Sequence, residues 1–520
     1  MDKIKILWVD DEIETLKPQI LFLEQKGYEV TALSNGYDAI EEFEGANDFD
    51  AVFLDESMPG ISGLETLTRL KAIKSGVPIV MITKNEEEHI MEEAIGSQIA
   101  DYLIKPVNPN QILLSLKRIM DEKRLIREKT SSDYQQDFRQ IFMQINSGLD
   151  FNEWVDVYKK IVNWEIKLDH SQSLEMSEIL ATQKGEANTG FCKFVDRNYM
   201  DWLDKNNKDA PIMSYNLLRE KVFPFVDDQV PTVIVLMDNL RYDQWKVIEP
   251  IIEECYKVES EDYFFSILPT ATQYSRNAIF AGMMPSEIEK KYPDLWKNDA
   301  DEGGKNLSES VFLGDQINRL FRKPIKHEYI KITNVSNGKA LADNIMNLMN
   351  NDLSVIVYNF IDMLSHARTE MEVLKELADD EKAYRSLTRS WFIHSPLWLA
   401  LQRLSEKAVQ LFIITDHGSI KVGTPSRVIG DRETTTNLRY KVGKNLNYVS
   451  NDVIDYKDPA KVYLPRPHVS SSFIFAKEDK FFLYPNNYNY YNNYYKDTFQ
   501  HGGVSLEEVV CPAIRLKSRG

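Results

Sequence analysis

The sequence reads TVIVLMD at 232–238, SVIVYNFID at 354–362 and QLFIITDH at 410–417. Each stretch contains an apolar run of the kind that forms a buried parallel strand, and each run leads into an acidic residue. In open α/β sheets, ligands bind beyond the carboxyl ends of such strands. The three stretches therefore predict a mostly parallel central sheet whose acidic residues meet at one edge.

Six side chains at these strand ends and in a later Gln-His-Gly-Gly turn could bind metal ions: Asp238, Asp362, His366, Asp416, His417 and His501. Carboxylates and neutral imidazoles without a thiolate favour zinc or manganese. Two divalent cations about 4 Å apart can hold a phosphoryl group, activate a nucleophile and stabilise the leaving oxygen. Each Asp alone could instead be a turn or helix N-cap, and Asp362 with His366 could be a solvated helical pair. Three of the eight His residues follow strand ends, which favours a two-metal site.

The order of these residues, together with Pro-Thr-Ala-Thr at 269–272, resembles the alkaline phosphatase superfamily in the branch called the PglZ domain. The resemblance covers roughly residues 210–520. It implies one zinc ion held by Asp362, His366 and His501. It implies a second zinc ion held by Asp238, Asp416, His417 and the nucleophile.

Two hydroxyls compete for the role of catalytic nucleophile. The Pro-Thr-x-Thr spacing of the family points to Thr272, and Thr270 is then a cap or turn residue. Asn277 could contact a phosphoryl oxygen, or it could be a capping or surface residue. A phosphomonoester dianion usually needs a dedicated arginine, and the nearest candidate, Arg276, could equally lie at the surface. The family resemblance and the Tyr/Asn-rich stretch at 481–495 favour phosphodiesters of oligonucleotide type as substrates.

A second group of strand ends lies in the first 120 residues. One apolar run leads into Asp10 and Asp11, and a second ends at Asp55. Two more runs end at Thr83 and just before Lys105-Pro106. The sequence thus places five side chains on one rim of a parallel sheet: Asp10, Asp11, Asp55, Thr83 and Lys105. This pattern resembles a response-regulator receiver domain and implies a (βα)5 fold.

The receiver resemblance implies that Asp55 accepts a phosphoryl group. Asp10 and Asp11 would hold Mg²⁺ together with Asp55, because the cation neutralises the group in transfer. The resemblance also implies three switch residues: Thr83, Tyr102 and Lys105. The threonine and the lysine would contact the new phosphoryl group. The tyrosine takes the position of a rotating aromatic residue, or it is an ordinary half-buried strand residue.

Composition restricts the partners and the cellular setting. The 520-residue chain has a net charge of −18 and a pI near 5.1. It has no basic stripe and no helix-turn-helix pattern, so we expect no sequence-specific DNA binding. Neither a run of eighteen apolar residues nor a signal peptide is visible, which predicts a cytoplasmic protein.

Apolar residues recur at helical spacing between the two motif-bearing regions, from about Pro109 to Asn206. We predict a helical bundle that joins a sensor to an effector. The predicted fold class is α/β, with a (βα)5 receiver domain at 1–120, a helical connector at 121–208 and an alkaline-phosphatase-like α/β domain at 209–520.

The segment FFLYPNNYNYYNNYY at 481–495 is rich in Tyr and Asn and precedes His501. Its rings could stack nucleobases beside a phosphate site, each stack contributing about 1 to 3 kcal/mol. The segment could instead be a surface hairpin or a dimer contact. The stacking candidates are Tyr488, Tyr490, Tyr491, Tyr494 and Tyr495.

Receiver and PglZ-like effector in one chain resemble the PorX-type response regulators of Bacteroidota. That resemblance implies a sensor histidine kinase as partner, contact with a sigma factor or with membrane proteins of type IX secretion, and a homodimer on phosphorylation. The predicted function is a phosphorylation-regulated, zinc-dependent phosphodiesterase of oligonucleotide-type substrates, with two zinc ions in the effector and magnesium in the receiver. The alternative is a phosphorylation-switched protein-binding scaffold with a structural or residual metal site.

Overall fold

The computed structural model describes residues 4–45, 48–74, 76–84, 99–169, 174–204, 206–227, 229–370, 380–431 and 433–519. Side chains at 121–132, 174–175 and 367–370 are not among those described. The chain forms two compact units, Met1–Gln135 and Gln136–Gly520. Among the described helices, none combines the length and the apolar composition that crossing a bilayer requires.

The first unit is built on five parallel strands: β1 Lys5–Val9, β2 Glu29–Leu33, β3 Ala51–Asp55, β4 Ile79–Thr83 and β5 Asp101–Ile104. Its helices are α1 Lys17–Gln25, α2 Gly36–Glu44, α3 Gly63–Ile73 and the first part of α4 Pro109–Ile145. The strand order is β2-β1-β3-β4-β5, as expected for a (βα)5 fold.

Apolar residues cover both faces of this sheet, which explains why β3 and β4 are buried along their whole length. One core cluster surrounds Trp8 and Phe53 and includes Leu116 at the start of α4. The other surrounds Phe43 and Leu67 on α2 and α3. The polar residues at the strand ends are thereby fixed on one rim.

The boundary between the two units falls within α4, and two long helices follow it: α5 Phe151–Asp169 and α6 Leu174–Trp202. The ring of Trp154 on α5 contacts that of Phe191 on α6, with centroids 5.6 Å apart. Phe191 also contacts Phe265 at 5.8 Å. The predicted helical connector is therefore present, and its last two helices belong to the second unit.

The second unit contains these strands: β6 Thr232–Met237, β7 Tyr256–Phe265, β8 His327–Ile332, β9 Leu353–Tyr358, β10 Gln410–Ile414, β11 Ile420–Lys421, β12 Thr424–Ile429, β13 Tyr440–Lys444, β14 Asn447–Tyr448, β15 Val453–Tyr456, β16 Ser471–Ala476, β17 Lys480–Leu483, β18 Phe499–Gln500 and β19 Val510–Ser518. Its further helices are α7 Tyr242–Ile252, α8 Thr272–Ala281, α9 Pro285–Lys291, α10 Glu309–Leu320, α11 Val335–Asn344, α12 Phe360–Glu370, α13 Glu381–His394, α14 Pro396–Ser405, α15 Tyr488–Tyr495 and α16 Leu506–Val509.

The central sheet of this unit has six strands in the order β7-β19-β10-β6-β9-β8. Strands β10, β6, β9 and β8 pair in parallel, and β19 runs antiparallel to both of its neighbours. The three apolar stretches quoted at the outset form β6, β9 and β10, which are adjacent. Their carboxyl ends therefore lie side by side, as predicted.

Short strands between residues 420 and 500 form small additional sheets, β14-β12-β17, β13-β16-β15 and the ribbon β11-β18. The first three residues of the Tyr/Asn segment end strand β17, and its second half forms helix α15. The rings of this helix stack at four-residue spacing, Tyr490 on Tyr494 and Tyr491 on Tyr495. The alternative of a surface hairpin is therefore wrong. Strand β18 follows this helix and leads directly into His501.

Candidate functional site

Three loops and the first turns of two helices converge beyond the central sheet. Asp238 follows β6, Asp416 and His417 follow β10, and His501 follows β18. The other residues lie on helices: Asp362 and His366 on α12, which follows β9, and Thr272 as the first residue of α8. The structure brings the six predicted metal ligands into two groups of three.

The first group consists of Asp362, His366 and His501, whose ligand atoms all lie within 4.8 Å of one another. The Nε2 atom of His366 lies 3.5 Å from Asp362 Oδ2, and the Nε2 atom of His501 lies 3.7 Å from Asp362 Oδ1. The side chain of His366 is 62% exposed, whereas that of Asp362 is 16% exposed. One side of this group is therefore open to solvent.

The second group consists of Asp238, Asp416 and His417, all of them buried. The Nε2 atom of His417 lies 3.7 Å from Asp416 Oδ2 and 3.9 Å from Asp238 Oδ1. The hydroxyl of Thr272 lies 3.0 Å from His417 Nε2 and 3.3 Å from Asp238 Oδ1. The proposed nucleophile thus touches this group directly.

Backbone carbonyls orient the two buried imidazoles. The Nδ1 atom of His417 lies 3.1 Å from the Gly418 carbonyl oxygen, and that of His501 lies 3.2 Å from the Thr270 carbonyl oxygen. A carbonyl can only accept, so Nδ1 carries the proton and Nε2 keeps a lone pair for a metal. Burial lowers the pKa of His417 and lowers that of His501 well below its usual range, the nearby His417 adding to the second shift. Both rings are therefore neutral.

The carboxylates of the two groups carry poorly compensated charge. Burial and the neighbouring Asp238 raise the pKa of Asp362 to about 6 and raise that of Asp416 well above its usual range. Burial also acts on Asp238, but the Arg276 guanidinium outweighs it and lowers the pKa of Asp238. Oxygens Asp362 Oδ1 and Asp416 Oδ2 are buried without a hydrogen-bond partner. Buried unpaired carboxylate oxygens are costly, so these residues fit two divalent cations.

Arg276 and Asn277 correct two alternatives drawn from the sequence, because both are buried rather than at the surface. Arg276 donates from Nη1 to Asp238 Oδ2 at 2.6 Å and from Nε to Glu309 Oε1 at 2.5 Å. Asn277 donates from Nδ2 to the backbone carbonyls of Gln273 and Lys305. These bonds engage the amide donors that a phosphoryl oxygen would need. We therefore do not assign Asn277 to substrate binding.

Thr270 lies in the loop before α8, and its hydroxyl fixes the turn after His501. The hydroxyl donates to the Gly503 carbonyl at 2.8 Å and accepts from the Gly502 N–H at 3.1 Å. Sequence reasoning missed Glu309, which binds Arg276, and Asn306, which donates to the Thr272 carbonyl at 3.1 Å. Both lie more than thirty positions from the residues they contact, and no local pattern marks them.

The first unit places its own acidic group at the rim of its sheet. Ligand atoms of Asp10, Asp11 and Asp55 lie within 4.8 Å of one another. The Nζ atom of Lys105 lies 2.8 Å from Asp10 Oδ2 and 3.0 Å from Asp55 Oδ2. Burial raises the pKa of Asp55 to about 6 although the Lys105 hydrogen bond opposes the shift. Three carboxylates of this kind suit the oxygen ligation of Mg²⁺.

Packing around Asp55 fixes its backbone. A side chain at Gly63 would place its first carbon 2.3 Å from the Asp55 carbonyl oxygen, so only glycine lets α3 begin this close. Thr83 is buried at the end of β4, and Tyr102 on β5 is 37% exposed. That exposure fits a rotating aromatic switch residue, and it also fits an ordinary half-buried strand residue.

Three family models match consecutive parts of the chain. They are the response regulator receiver domain at residues 6–117, the PorX response regulator linker domain at 124–203 and the BREX system PglZ alkaline phosphatase-like domain at 217–516. Alkaline phosphatase-like domains typically depend on metal ions. A receiver domain implies phosphorylation by a sensor kinase.

Similar proteins match shorter stretches. The phosphoglycerate transport system transcriptional regulatory protein PgtA of Salmonella typhimurium is 25% identical over 239 residues, which is 45% of this chain and 52% of PgtA. The transcriptional regulatory protein ResD of Bacillus subtilis is 32% identical over 119 residues, 23% of this chain and 49% of ResD. The chain spans about half the length of these curated relatives.

Among solved structures, a CheY-like response regulator receiver domain protein from Methanospirillum hungatei is 26% identical. The match covers 24% of this chain and 98% of that protein, with a TM-score of 0.23. The PglZ model, in contrast, matches more than half of the chain. The chain therefore belongs to the PglZ alkaline phosphatase-like family and is a two-component response regulator with the PorX-type order of receiver, linker and effector.

Proposed function

We propose that the effector is a zinc-dependent phosphodiesterase and that phosphorylation of Asp55 regulates it. Asp362, His366 and His501 would hold one zinc ion, and Asp238, Asp416 and His417 the other. When bound, the two cations would polarise the phosphoryl group and stabilise the leaving oxygen. The observation that carries the proposal is the Thr272 hydroxyl, which lies within 3.3 Å of ligand atoms of the second group.

Thr272 is proposed as the nucleophile. Its Oγ1 atom attacks phosphorus and loses its proton to solvent, while the bond from phosphorus to the leaving alcohol breaks. Water then hydrolyses the phosphothreonine and restores the hydroxyl. Because Thr272 begins the ten-residue helix α8, the positive end of the helix dipole also favours an anion here.

The state of Arg276 supports a diester as substrate. A monoester dianion carries one more charged oxygen than a diester and usually requires a free arginine. Arg276 is instead engaged by Asp238 and Glu309. We therefore propose that the site turns over diesters in preference to monoesters.

The aromatic helix α15 supports a substrate of oligonucleotide type. Tyr490 and Tyr491 are 65% and 39% exposed, and the helix ends six residues before His501. Exposed rings at such a place can stack bases without selecting a sequence.

The PorX-type architecture supports the regulatory part of the proposal. We propose that Asp55, with Mg²⁺ at Asp10 and Asp11, is phosphorylated by a sensor histidine kinase, and that phosphorylation produces a homodimer. A sigma factor and membrane proteins of type IX secretion are the further proposed partners.

The decisive experiment combines metal analysis with turnover. Elemental analysis of protein purified without chelators should find two zinc ions per chain. The protein should hydrolyse bis(p-nitrophenyl) phosphate faster than p-nitrophenyl phosphate, and acetyl phosphate should change that rate. Bound zinc without turnover of any phosphoester would instead favour the scaffold function, and the absence of bound metal would refute the catalytic proposal.

A second experiment addresses the substrate class. Replacing Tyr490 and Tyr491 by Ala should raise KM for a short oligonucleotide about thirtyfold, the lower range of two lost stacks. The rate with bis(p-nitrophenyl) phosphate should remain unchanged. The Phe variants keep the rings and serve as the matched control. Loss of both activities would mean that α15 supports folding instead.

A further inference from the structure

One face of helix α6 contacts the chain segment that follows His501. Lys184, Asn188 and Cys192 are spaced four residues apart, so they form a single stripe along the helix. They are 8%, 4% and 0% exposed. A stripe containing a lysine and an asparagine is unusual at a buried helix face, because each polar group needs a partner there.

The partners of this stripe lie in the segment Val504–Glu507. Asn188 accepts from the Leu506 N–H at 2.8 Å and donates to Glu507 Oε2 at 3.0 Å. Cys192 donates from Sγ to the Val504 carbonyl at 3.1 Å. The stripe therefore binds both the backbone and a side chain of this short segment.

Lys184 adds a charged contact at the end of the stripe. Its Nζ atom lies 3.0 Å from Glu507 Oε1 and 2.8 Å from both Glu165 on α5 and Glu381 on α13. Its pKa is raised well above the usual range, because these three carboxylates outweigh the effect of burial. Lys184 therefore ties Glu507 to two further helices.

The same segment supports both metal-ligand turns. Val504 lies three residues after His501, and the intervening Gly503 N–H donates to Glu508 Oε1 at 2.9 Å. On the other side, a side chain at Gly418 would place its first carbon 2.0 Å from the Glu507 carbonyl oxygen. Gly418 directly follows His417 and accepts the Nδ1 hydrogen of that ligand.

We propose that Asn188, assisted by Lys184 and Cys192, is a positioning residue for the metal centre and acts through the Val504–Glu507 segment. None of the three touches a ligand atom of the site. They hold the backbone that orients His501 and that packs against the turn of His417. The inference rests on the proposed metal site but not on the identity of the substrate.

Helix α6 therefore connects the linker region to the proposed metal site. Helix α6 lies in the stretch that matches the PorX linker model, and Asn188 is its most completely hydrogen-bonded contact with the effector segment. A shift of α6 away from the segment by about 1 Å would stretch both Asn188 bonds, now 2.8 and 3.0 Å long, beyond hydrogen-bond distance. The metal geometry is therefore sensitive to the position of this helix.

The test measures Co²⁺ binding by the full-length protein after removal of its metal. Asn188→Ala should weaken Co²⁺ binding about 10- to 100-fold, the usual range for lost outer-sphere support of a ligand, and should alter the visible spectrum. Asn198→Ala is the matched control. Asn198 lies on the same helix and donates to the Phe194 carbonyl within it, so binding and spectrum should stay at wild-type values.

Hydrogen exchange gives a second readout. The amides of Gly503 and Leu506 should exchange faster in Asn188→Ala than in Asn198→Ala. If Asn188→Ala does not fold, Cys192→Ala removes two weak bonds, one to the Val504 carbonyl and one from the Glu478 N–H, and should lower Co²⁺ affinity about two- to fivefold. Active wild-type protein whose Asn188 and Cys192 variants bind Co²⁺ like Asn198→Ala would overturn this inference alone. A wild-type chain that binds no Co²⁺ would overturn the proposed metal site as well.

Discussion

The acidic group of the receiver and the metal-ligand groups of the effector balance buried charge to different degrees. In the receiver, the Lys105 ammonium contacts Asp10 and Asp55 together. In the effector, the Arg276 guanidinium hydrogen-bonds Asp238, while the buried oxygens of Asp362 and Asp416 have no hydrogen-bond partner. Asp55 Oδ1 in the receiver is likewise buried without a hydrogen-bond partner, and Arg276 Nη1 also lies 3.9 Å from Asp416 Oδ2. The difference is therefore greatest at Asp362, which has only histidines within ion-pair distance among the described residues.

This difference suits an exchangeable metal ion in the receiver and a permanently bound metal ion in the effector. A site that is balanced by a lysine can release its cation and remain folded, which a reversible phosphorylation switch requires. A site with uncompensated carboxylates and neutral imidazoles gains most from an ion that stays bound. We therefore expect magnesium to exchange freely and zinc to be a resident cofactor.

The largest expected effect comes from replacing Thr272, and it separates the role of Thr272 in turnover from the role of Asp55 in regulation. Thr272→Ala should lower phosphodiester turnover on the order of 10³-fold or more, because the nucleophile is lost, while zinc content stays near two per chain. Asp55→Asn should leave unstimulated turnover intact and abolish only the response to acetyl phosphate. Steady-state kinetics with elemental analysis would check both variants. An active Thr272→Ala protein would refute the assigned nucleophile.

The second prediction compares Arg276 in the effector with Lys105 in the receiver, the two cationic side chains that contact buried carboxylates. Arg276→Met should destabilise the effector by about 3 to 5 kcal/mol, because it leaves Asp238 buried without its arginine, whereas Glu309 keeps Lys331 and Tyr329. Lys105→Met should destabilise the receiver in chelator but much less in Mg²⁺, since the metal replaces the ammonium charge. Hydrogen exchange would resolve the two units. If zinc rescued Arg276→Met as fully as Mg²⁺ rescues Lys105→Met, the contrast between the sites would fail.

The third prediction concerns Thr270, which the sequence marks only as a turn residue. Thr270→Ala removes the hydroxyl that holds Gly502 and Gly503, so zinc affinity should fall about tenfold through the misplaced His501. Thr270→Ser keeps the hydroxyl and should retain wild-type affinity. Competition with a chromogenic chelator would measure both. Equal affinities in the two variants would show that the backbone alone holds the turn.

The smallest expected effect is on assembly. Beryllofluoride with Mg²⁺ should double the mass measured by light scattering, because Asp55 then carries a phosphoryl mimic that engages Lys105. Asp55→Ala should remain at its initial mass under the same conditions. A wild-type mass that does not change would mean that the receiver acts within one chain.

Much of the site is predictable because its residues follow a strong local pattern. Buried strands β6, β9 and β10 are recognisable as Val- and Ile-rich runs, and parallel strands deliver their ends to one edge. This rule places Asp238, Asp362 and Asp416 together without any knowledge of packing. The same rule places Asp10 and Asp55 together in the receiver.

The remaining features depend on contacts between distant parts of the chain. Asn188 meets Leu506 across 318 positions, and nothing near either residue signals the pairing. Arg276 looks like an exposed helical residue until Glu309 is placed beside it. The two-residue strands β11, β14 and β18 are too short for an alternating pattern to show, and the Tyr-rich helix α15 lacks the apolar spacing that would have identified it.

His366 differs from the other five ligands because most of its side chain faces solvent. An ion bound with His366 can therefore exchange with the medium more readily than one held by the buried Asp238, Asp416 and His417. We expect the two zinc ions to load in sequence, the buried one first. The half-loaded protein would keep its fold and its nucleophile and yet be inactive. Free zinc concentration would then set the fraction of competent enzyme independently of the phosphorylation state of the receiver.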